Sequence, residues 1–444
     1  MIKKQKGTYD LYGSDAKKWL VITNLIDTIA EKYNYDFIRT PIFEASELFH
    51  RGLGENTDIV SKETYDFKDR SQRMITLRPE GTAGIVRSYI ENKMYGDANQ
   101  PKKLYYYGPM FRYERPQSGR NREFYQFGFE VLGSDDPMID AEVISLAVNI
   151  IKLSGLEKIK VNINSLGDKQ TRDIYRNEIT NYFKPYINDL CDDCKIRLEK
   201  NPLRILDCKV DHELEIMKKA PKIINYLTQD SKTRFELVQK YLKILNIDFE
   251  VNSNIVRGLD YYNHTVFEIE VKLPDVGAQN VICGGGRYNN LVIELGGPET
   301  PCIGFAFGFD RFLLMLEQSE IKLPINQQID AYIMYVNEEE KSSAIAIAQD
   351  LRMAGLKIDL ETMNRNLKSQ FKQADRLNSK LLIILNSEDL KNGNVQIKNN
   401  ITKKEELVEL NYLLHYLEEQ LNDIEEQSCC DNDCNCDIHD FEQE

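Results

Sequence analysis

Residues 102–133 read "KKLYYYGPMFRYERPQSGRNREFYQFGFEVLG". Two runs rich in aromatic residues flank a middle of Arg, Pro, Gly, Ser and Asn. That is the composition of two strands joined by a long turn. Side chains two apart on a strand share a face. The alternation puts Arg112 with Glu114 on the first strand, and Phe124, Gln126, Gly128 and Glu130 together on the second. A face carrying Arg, Glu, Gln and Glu is not an apolar core face. Buried without partners, each such group would cost about 1–3 kcal/mol. Either these groups pair with one another, or the face is solvated, or it meets a polar ligand.

Four further stretches bear on that choice. "TLRPEGTAG" (76–84) offers Glu80 and Thr82 beside small residues that permit close backbone approach. "RGLDYYNHTVFEI" (257–269) sets Arg257, Tyr261 and Tyr262 at the mouth of an aromatic and β-branched strand. "GFAFGFDRFLLML" (304–316) runs from a Gly-rich strand into an apolar helix, with Arg311 near the helix start, where the dipole disfavours a cation. Such an arginine suits an outside partner, a phosphate or a base. "CGGGRYNNL" (283–291) lacks the Gly-Lys-Ser/Thr of a phosphate loop and opens no βαβ unit. Its glycines suit close approach to a ligand, with Arg287 and Tyr288 facing the pocket or its wall. Singly, each residue reads as well as surface or core. Together they predict an antiparallel sheet lined with arginines, carboxylates and phenols. That suits an anionic phosphate ester beside a small polar cation.

The surrounding chain predicts two or three domains in 444 residues. Trp19, Ile22, Leu25, Ile26, Ile29 and Tyr33 have helical spacing. Pro41 breaks the strand-like "YDFIRTPIFE" (35–44) and belongs at a sheet edge. Residues 168 to about 248 are helical in texture, Gly-poor, and rich in Lys and Asp, which marks an inserted helical subdomain. From 328 to 425, β and α patterns alternate, as in a small α/β domain with a mostly parallel sheet. Residues 426–444 are acidic, Cys-rich and expected to be disordered.

The net charge of -14 is concentrated at one end. Eleven Asp or Glu and no Lys or Arg follow from Glu418 onward, so the rest of the chain sums to about -3. Local basic patches on such a body can still bind phosphate, because screening acts over only about 8 Å at physiological salt. No apolar run approaches the ~18 residues of a membrane span, and no secretory h-region follows the charged N-terminus. Nine scattered cysteines fit a reduced cytoplasm.

Residues 111–133 resemble the second signature of the class II aminoacyl-tRNA synthetases, and 304–316 resemble the third. Pro41 stands where the first has its dimer-interface proline. Residues 257–269 and 283–291 are similar to two signatures peculiar to the histidyl-tRNA synthetase family. The resemblance spans residues 1 to about 425. It implies an α+β catalytic domain at 1–325, with a class II-type antiparallel sheet and the helical insertion, and an α/β anticodon-binding domain at 328–425. It implies activation of histidine with ATP and Mg²⁺, then transfer to the 3′-hydroxyl of tRNA(His), by a cytoplasmic homodimer.

The resemblance also assigns residues. Arg257 and Arg112 would be catalytic, meeting the amino-acid carboxylate and the α-phosphate. Glu130 and Tyr262 would read the imidazole nitrogens, with Tyr261 and Tyr288 in the same histidine pocket. Glu80, Thr82 and Gln126 would hold the α-amino group. Glu114, Arg120, Phe124 and Arg311 would join Arg112 in binding ATP, with Arg120 at the γ-phosphate and the adenine between Phe124 and Arg311. Arg115 and Gln117 would meet the tRNA acceptor end. One rival is a synthetase-like regulatory subunit of ATP phosphoribosyltransferase. Such paralogues generally lose the anticodon domain and the catalytic arginines, and this chain has both. A threonyl- or prolyl-type enzyme is a second rival, against which "RGLDYY" argues.

Two cysteine groups stand apart. Cys191, Cys194, Cys208 and His212 have the zinc-like spacing C-x2-C-x13-C-x3-H. They read also as ordinary free thiols, and the resemblance implies no structural metal there, so none is expected. Cys429, Cys430, Cys434, Cys436 and His439 crowd the acidic end, where the family pattern has already stopped. Metal binding or redox sensing competes there with an unstructured appendage, which is the expectation.

Overall fold

The computed structural model describes residues 1–54, 57, 59–117, 119–208, 210–255, 259–272, 280–325 and 328–431. Arg257 lies outside the described residues, as does the stretch 432–444. The chain forms two compact units, Met1–Pro324 and Ile325–Glu444.

In the first unit the aromatic runs form antiparallel strands, Lys102–Phe111 and Glu123–Leu132, in the register Tyr106↔Gly128 and Leu104↔Glu130. They sit in an eight-stranded sheet. Its order is Asp36–Phe37, Lys102–Phe111, Glu123–Leu132, Cys302–Gly308, Val281–Arg287, Asn263–Val271, Ile159–Ser165 and Phe249–Val251. The outermost pairings are parallel and the inner ones antiparallel. A separate antiparallel sheet joins Phe43–Ala45, Met74–Leu77 and Tyr65–Lys68.

Period-2 alternation gives the large sheet a core on each face. Tyr105, Phe127, Phe129 and Val131 enter one core, with Ile22, Ile144, Phe235 and Phe312 from four helices. Phe127 and Phe307 stack there on adjacent strands, centroids 4.6 Å apart. Leu104, Tyr106, Met110 and Leu132 enter the other, with Phe49, Val86 and Tyr288. Gln126 and Glu130 share the parity of the second set, so the polar positions noted in the sequence lie on that face.

The helical insertion divides between two cores. Helices Lys169–Phe183 and Asp192–Lys200 build a small core of their own around Tyr175, Phe183, Leu198 and Ile205. Helix Gln229–Ile244 instead sends Phe235, Val238 and Leu242 into the sheet's core. Its apolar residues recur every three or four positions, so one stripe can reach the sheet.

The second unit has five strands in the order Ile358–Leu360, Ala331–Tyr335, Leu381–Leu385, Asn394–Asn399 and Glu405–Glu409. The first two pairings are parallel and the last two antiparallel, so the sheet is mixed rather than mostly parallel. Chain length explains this. Eight residues separate Leu385 from Asn394, and five separate Asn399 from Glu405. A parallel crossover needs a dozen or more. The continuous apolar runs 331–335 and 381–385 are buried on both faces. The last helix, Leu413–Asp431, runs six residues into the stretch expected to be disordered. Leu413, Leu417, Leu421 and Ile424 bury one stripe, and no Gly or Pro interrupts 413–431. Among the described residues, no helix is long and apolar enough to cross a membrane.

Arg287 departs from expectation. It is fully buried, and its Nε donates to Asp140 Oδ1 at 2.7 Å. Its Nη atoms bind the carbonyls of Ser134 and Asp136, and Thr265 donates to Asp140 Oδ2. It ties the sheet to helix Pro137–Leu153 and does not line the cavity described below. Removing one partner of a buried ion pair strands the other charge, at about 3–5 kcal/mol. We expect Arg287→Met to lower Tm by on the order of 10 °C, and Arg287→Met/Asp140→Leu to recover part of that loss. A double variant no more stable than the single, by thermal unfolding, would contradict a stranded charge.

Candidate active site

A cavity of about 290 Å³ opens on the polar face of the sheet. Glu80, Thr82, Gln126, Glu130, Tyr261, Tyr262 and Tyr288 line it, and so do Arg112, Glu114, Arg120, Phe124 and Arg311. Arg115 and Gln117 do not. They are exposed on the hairpin loop, where Gln117 and Arg120 exchange backbone hydrogen bonds.

The carboxylates and phenols form one group. Glu130 is 1% exposed. Its Oε1 accepts from the Thr82 hydroxyl at 2.8 Å and its Oε2 from the Tyr288 hydroxyl at 2.6 Å. Burial pushes its pKa up to about 8, against the pull of those two hydrogen bonds. Glycine makes the room: a Cβ at Gly304 on the neighbouring strand would overlap the Glu130 carboxylate. Glu80 accepts from the backbone N–H groups of Thr82 and Ala83 at 2.7 and 2.8 Å. It thereby satisfies two amides that helix Thr82–Glu91 leaves open at its start. Burial raises the Glu80 carboxyl as well. Tyr261 packs against Tyr262 and Tyr288, with ring centroids 4.6 and 5.7 Å apart. Burial raises the Tyr261 and Tyr288 phenols far enough that both stay protonated donors.

The guanidinium groups form the other. Arg112 donates from Nε to the Pro79 carbonyl at 2.9 Å, and its Cζ stands 5.2 Å from the centroid of Phe124, within cation–π range. Arg120 pairs with Glu114 at 2.8 Å. Arg311 donates to the Val281 carbonyl at 2.8 Å. Burial depresses its pKa, and the nearby charges of Arg120 and Arg112 add to that depression. Three cations held within each other's field favour a polyanion between them.

Tyr106 was missed by the sequence reading. It lines the cavity and is 5% exposed, and its hydroxyl is buried without a hydrogen-bond partner among the described residues. Side chains at Gly81 and Gly128 would collide with its ring. Its signal lies in the hairpin register, which sets Tyr106 opposite Gly128 and which composition alone does not state. Gln126 Oε1 is likewise buried and unmatched among the described residues. Of the glycine run, Gly284 lines the cavity, whereas Gly285 packs against Phe305 and the Gly304 carbonyl.

An antiparallel sheet whose hairpin presents Arg112, Glu114, Gln126 and Glu130, with a strand–helix element presenting Arg311, is the arrangement that the resemblance to the class II aminoacyl-tRNA synthetases implies. The family model for histidyl-tRNA synthetase matches residues 7–168 and 190–312, and that for an anticodon binding domain matches 330–420. A histidine–tRNA ligase of Anoxybacillus flavithermus is 51% identical over 416 residues, covering 94% of this chain and 98% of its own. One of Bacillus cytotoxicus is 50% identical over 420 residues, covering 95% and 99%. The crystal structure of apo Staphylococcus aureus histidyl-tRNA synthetase superposes with a TM-score of 0.82 at 42% identity, covering 94% of this chain and 100% of that one. The chain belongs to the histidyl-tRNA synthetase family.

Glu130 yields a test of the site's electrostatics. Its ordinary pKa is 4.5 and its folded value about 8. Between these, the folded protein holds a proton that the unfolded chain has lost. Stability therefore falls as pH rises through that window and levels off above it, by on the order of 3–5 kcal/mol in all. Glutamine does not titrate. The Tm of Glu130→Gln should thus gain on that of the wild type between pH 5 and pH 9. A constant difference across that range would show that Glu130 is not buried in its acid form.

Proposed function

We propose that this chain activates histidine with ATP and charges tRNA(His); the relatives it matches are named histidine–tRNA ligase. The observation that carries this is the buried Glu130, held by Thr82 and Tyr288 in the same cavity as three arginines. Glu130 and Tyr262 take the two imidazole nitrogens, with Tyr261 and Tyr288 packing around the ring. Glu80, Thr82 and Gln126 receive the α-ammonium group, and the unmatched Gln126 Oε1 is an acceptor suited to it. The histidine carboxylate then points toward Arg112, and Arg257, which lies outside the described residues, is assigned to the same carboxylate and α-phosphate by the family resemblance alone. A carboxylate oxygen attacks the α-phosphorus, the bond to the bridging oxygen breaks, and diphosphate leaves. Arg112 and Arg257 stabilise the charge that develops, at the point where preorganised cations contribute most. Arg120 holds the γ-phosphate, and the adenine lies between Phe124 and Arg311. Glu114, the carboxylate that lines the cavity among these arginines, would help hold Mg²⁺, which would supply positive charge to the phosphates. Arg115 and Gln117, exposed on the loop, would meet the acceptor end, whose 3′-hydroxyl then takes the histidyl group from AMP. The unit from 328 onward would read the anticodon, with the cytoplasm as the compartment.

Histidine-dependent ATP–diphosphate exchange tests this reading. Exchange with histidine alone among the amino acids is expected. No exchange with any amino acid would favour the regulatory-subunit alternative. Arg112→Ala and Arg257→Ala should each lower kcat by about 10²–10³ while KM changes less. Lysine at either position should restore little, because it lacks the planar fork. Near wild-type exchange with either alanine variant would remove that arginine from the catalytic role.

A homodimer fits the surface around Pro41. Pro41 is exposed in the loop between Asp36–Phe37 and Phe43–Ala45. Phe37, Ile42, Phe43, Phe67 and Met74 are exposed nearby in sequence or on the same small sheet. Apolar groups in such numbers mark an interaction surface. Light scattering at micromolar concentration should give twice the chain mass, and Phe43→Asp should shift it toward the monomer. A fully active wild-type monomer would refute the dimer.

A further inference from the structure

We propose a tetrahedral zinc site in the inserted segment, made by Cys191, Cys194, Cys208 and Asp211. Their four ligand atoms lie within 4.8 Å of one another. Cys191 precedes helix Asp192–Lys200 and Cys194 stands in its first turn. Cys208 follows the short helix Pro202–Asp207, and Asp211 lies in the turn after it. The sulfurs of Cys191 and Cys208 are 3.7 Å apart. Two thiolates on one tetrahedral zinc, at about 2.3 Å each, stand about 3.8 Å apart. A disulfide requires about 2.05 Å.

The chemistry of the set is that of a metal centre rather than a core. Cys194, Cys208 and Asp211 are 0%, 3% and 4% exposed. An acid does not belong in an apolar core without a charged partner. Backbone amides orient the ligands: Cys191 N–H donates to Asp211 at 3.1 Å, and Asp211 N–H donates to Cys208 Sγ at 3.4 Å. Outer hydrogen bonds of this kind fix ligand geometry in metal sites. Three thiolates select a soft or borderline ion, and zinc accepts one oxygen beside them in a closed tetrahedron. The start of helix Asp192–Lys200 offsets part of the negative charge. His212, which the sequence spacing suggested as fourth ligand, turns outward. Its side chain is 61% exposed, with Glu213 at 3.8 Å. The metal thus takes Asp211, one residue earlier.

The site closes the loop from 191 to 211 within the insertion's own small core. Metal binding adds folding energy where a core is small. The closed loop carries Asn201 and Arg204, which bind Asp260 Oδ1 at 3.2 and 3.0 Å. Asp260 adjoins Tyr261 of the candidate histidine pocket. Loss of zinc should therefore be felt as a higher KM for histidine as well as a lower Tm.

The test uses the full chain with Cys429, Cys430, Cys434 and Cys436 changed to Ser, so that the terminal thiols cannot contribute. Elemental analysis after purification under reducing conditions with zinc present should find one zinc per chain. His212→Ala should keep it. Asp211→Asn should weaken it at least tenfold in a chelator competition, and Cys194→Ser/Cys208→Ser should abolish it. Where the cysteine variants fail to fold, cobalt substitution of the parent chain decides: a tetrahedral d–d band and a thiolate-to-cobalt charge-transfer band are expected. A folded parent chain without metal and without those bands, or with a Cys191–Cys208 disulfide by mass spectrometry, overturns the proposal. So does a Cys194→Ser/Cys208→Ser chain that keeps its zinc.

Discussion

Much of the first unit is arranged around the burial of one carboxyl group, Glu130. Thr82 reaches it from the start of a helix and Tyr288 from the end of the glycine-rich strand. Gly304 leaves the space it occupies. Residues far apart in sequence therefore converge because a buried acid requires partners and volume from each. Glu80 contributes to the same problem. It lies close enough to push the Glu130 pKa further up, while its own oxygens are committed to the amides of Thr82 and Ala83.

A second constraint ties this pocket to the edge of the unit. Arg78 is buried, with Nε on the Pro109 carbonyl at 2.9 Å and Nη1 on the Thr40 carbonyl and hydroxyl, both at 3.1 Å. Thr40 adjoins Pro41, and Pro79 holds Arg112 through its carbonyl. The loop assigned to the dimer surface and the arginine assigned to the α-phosphate thus share one support two residues long. A subunit contact that shifts Thr40 would move Arg78, and with it the carbonyl that orients Arg112. The proposed pairing of subunits and the proposed role of Arg112 thereby become one mechanical question.

Legibility followed physical scale. Strand alternation is local, so the polar face of Gln126 and Glu130 could be read directly from residues 102–133. Tyr106 required the register across the hairpin, which composition does not state, and Arg287 required knowledge of a helix 147 residues away in sequence. The mixed sheet of the second unit followed from connection lengths that could have been counted beforehand. His212 and Asp211 differ by one position in a turn, and spacing rules are looser than that. The helix runs to Asp431, past the boundary that acidic composition suggests, because its apolar stripe reaches Ile424.

The cavity's unmatched groups weigh against stability and bear on what the site can bind. Gln126 Oε1 and the Tyr106 hydroxyl are buried with no partner among the described residues. Each costs about 1–3 kcal/mol. The phenylalanine stacks on the opposite face, Phe127 on Phe307 and Phe129 on Phe305, offset that cost without touching the ligand. A ligand with donors in the right places recovers the cost on binding. One that lacks them leaves the groups stranded, and discrimination of about 10⁴–10⁵ becomes possible without a second editing site. An amino acid with two ring nitrogens and an ammonium group has donors for such a cavity. In the proposed reading Gln126 meets the α-ammonium group that every amino acid carries, so the choice among amino acids falls to the groups assigned to the ring, Glu130 and Tyr262.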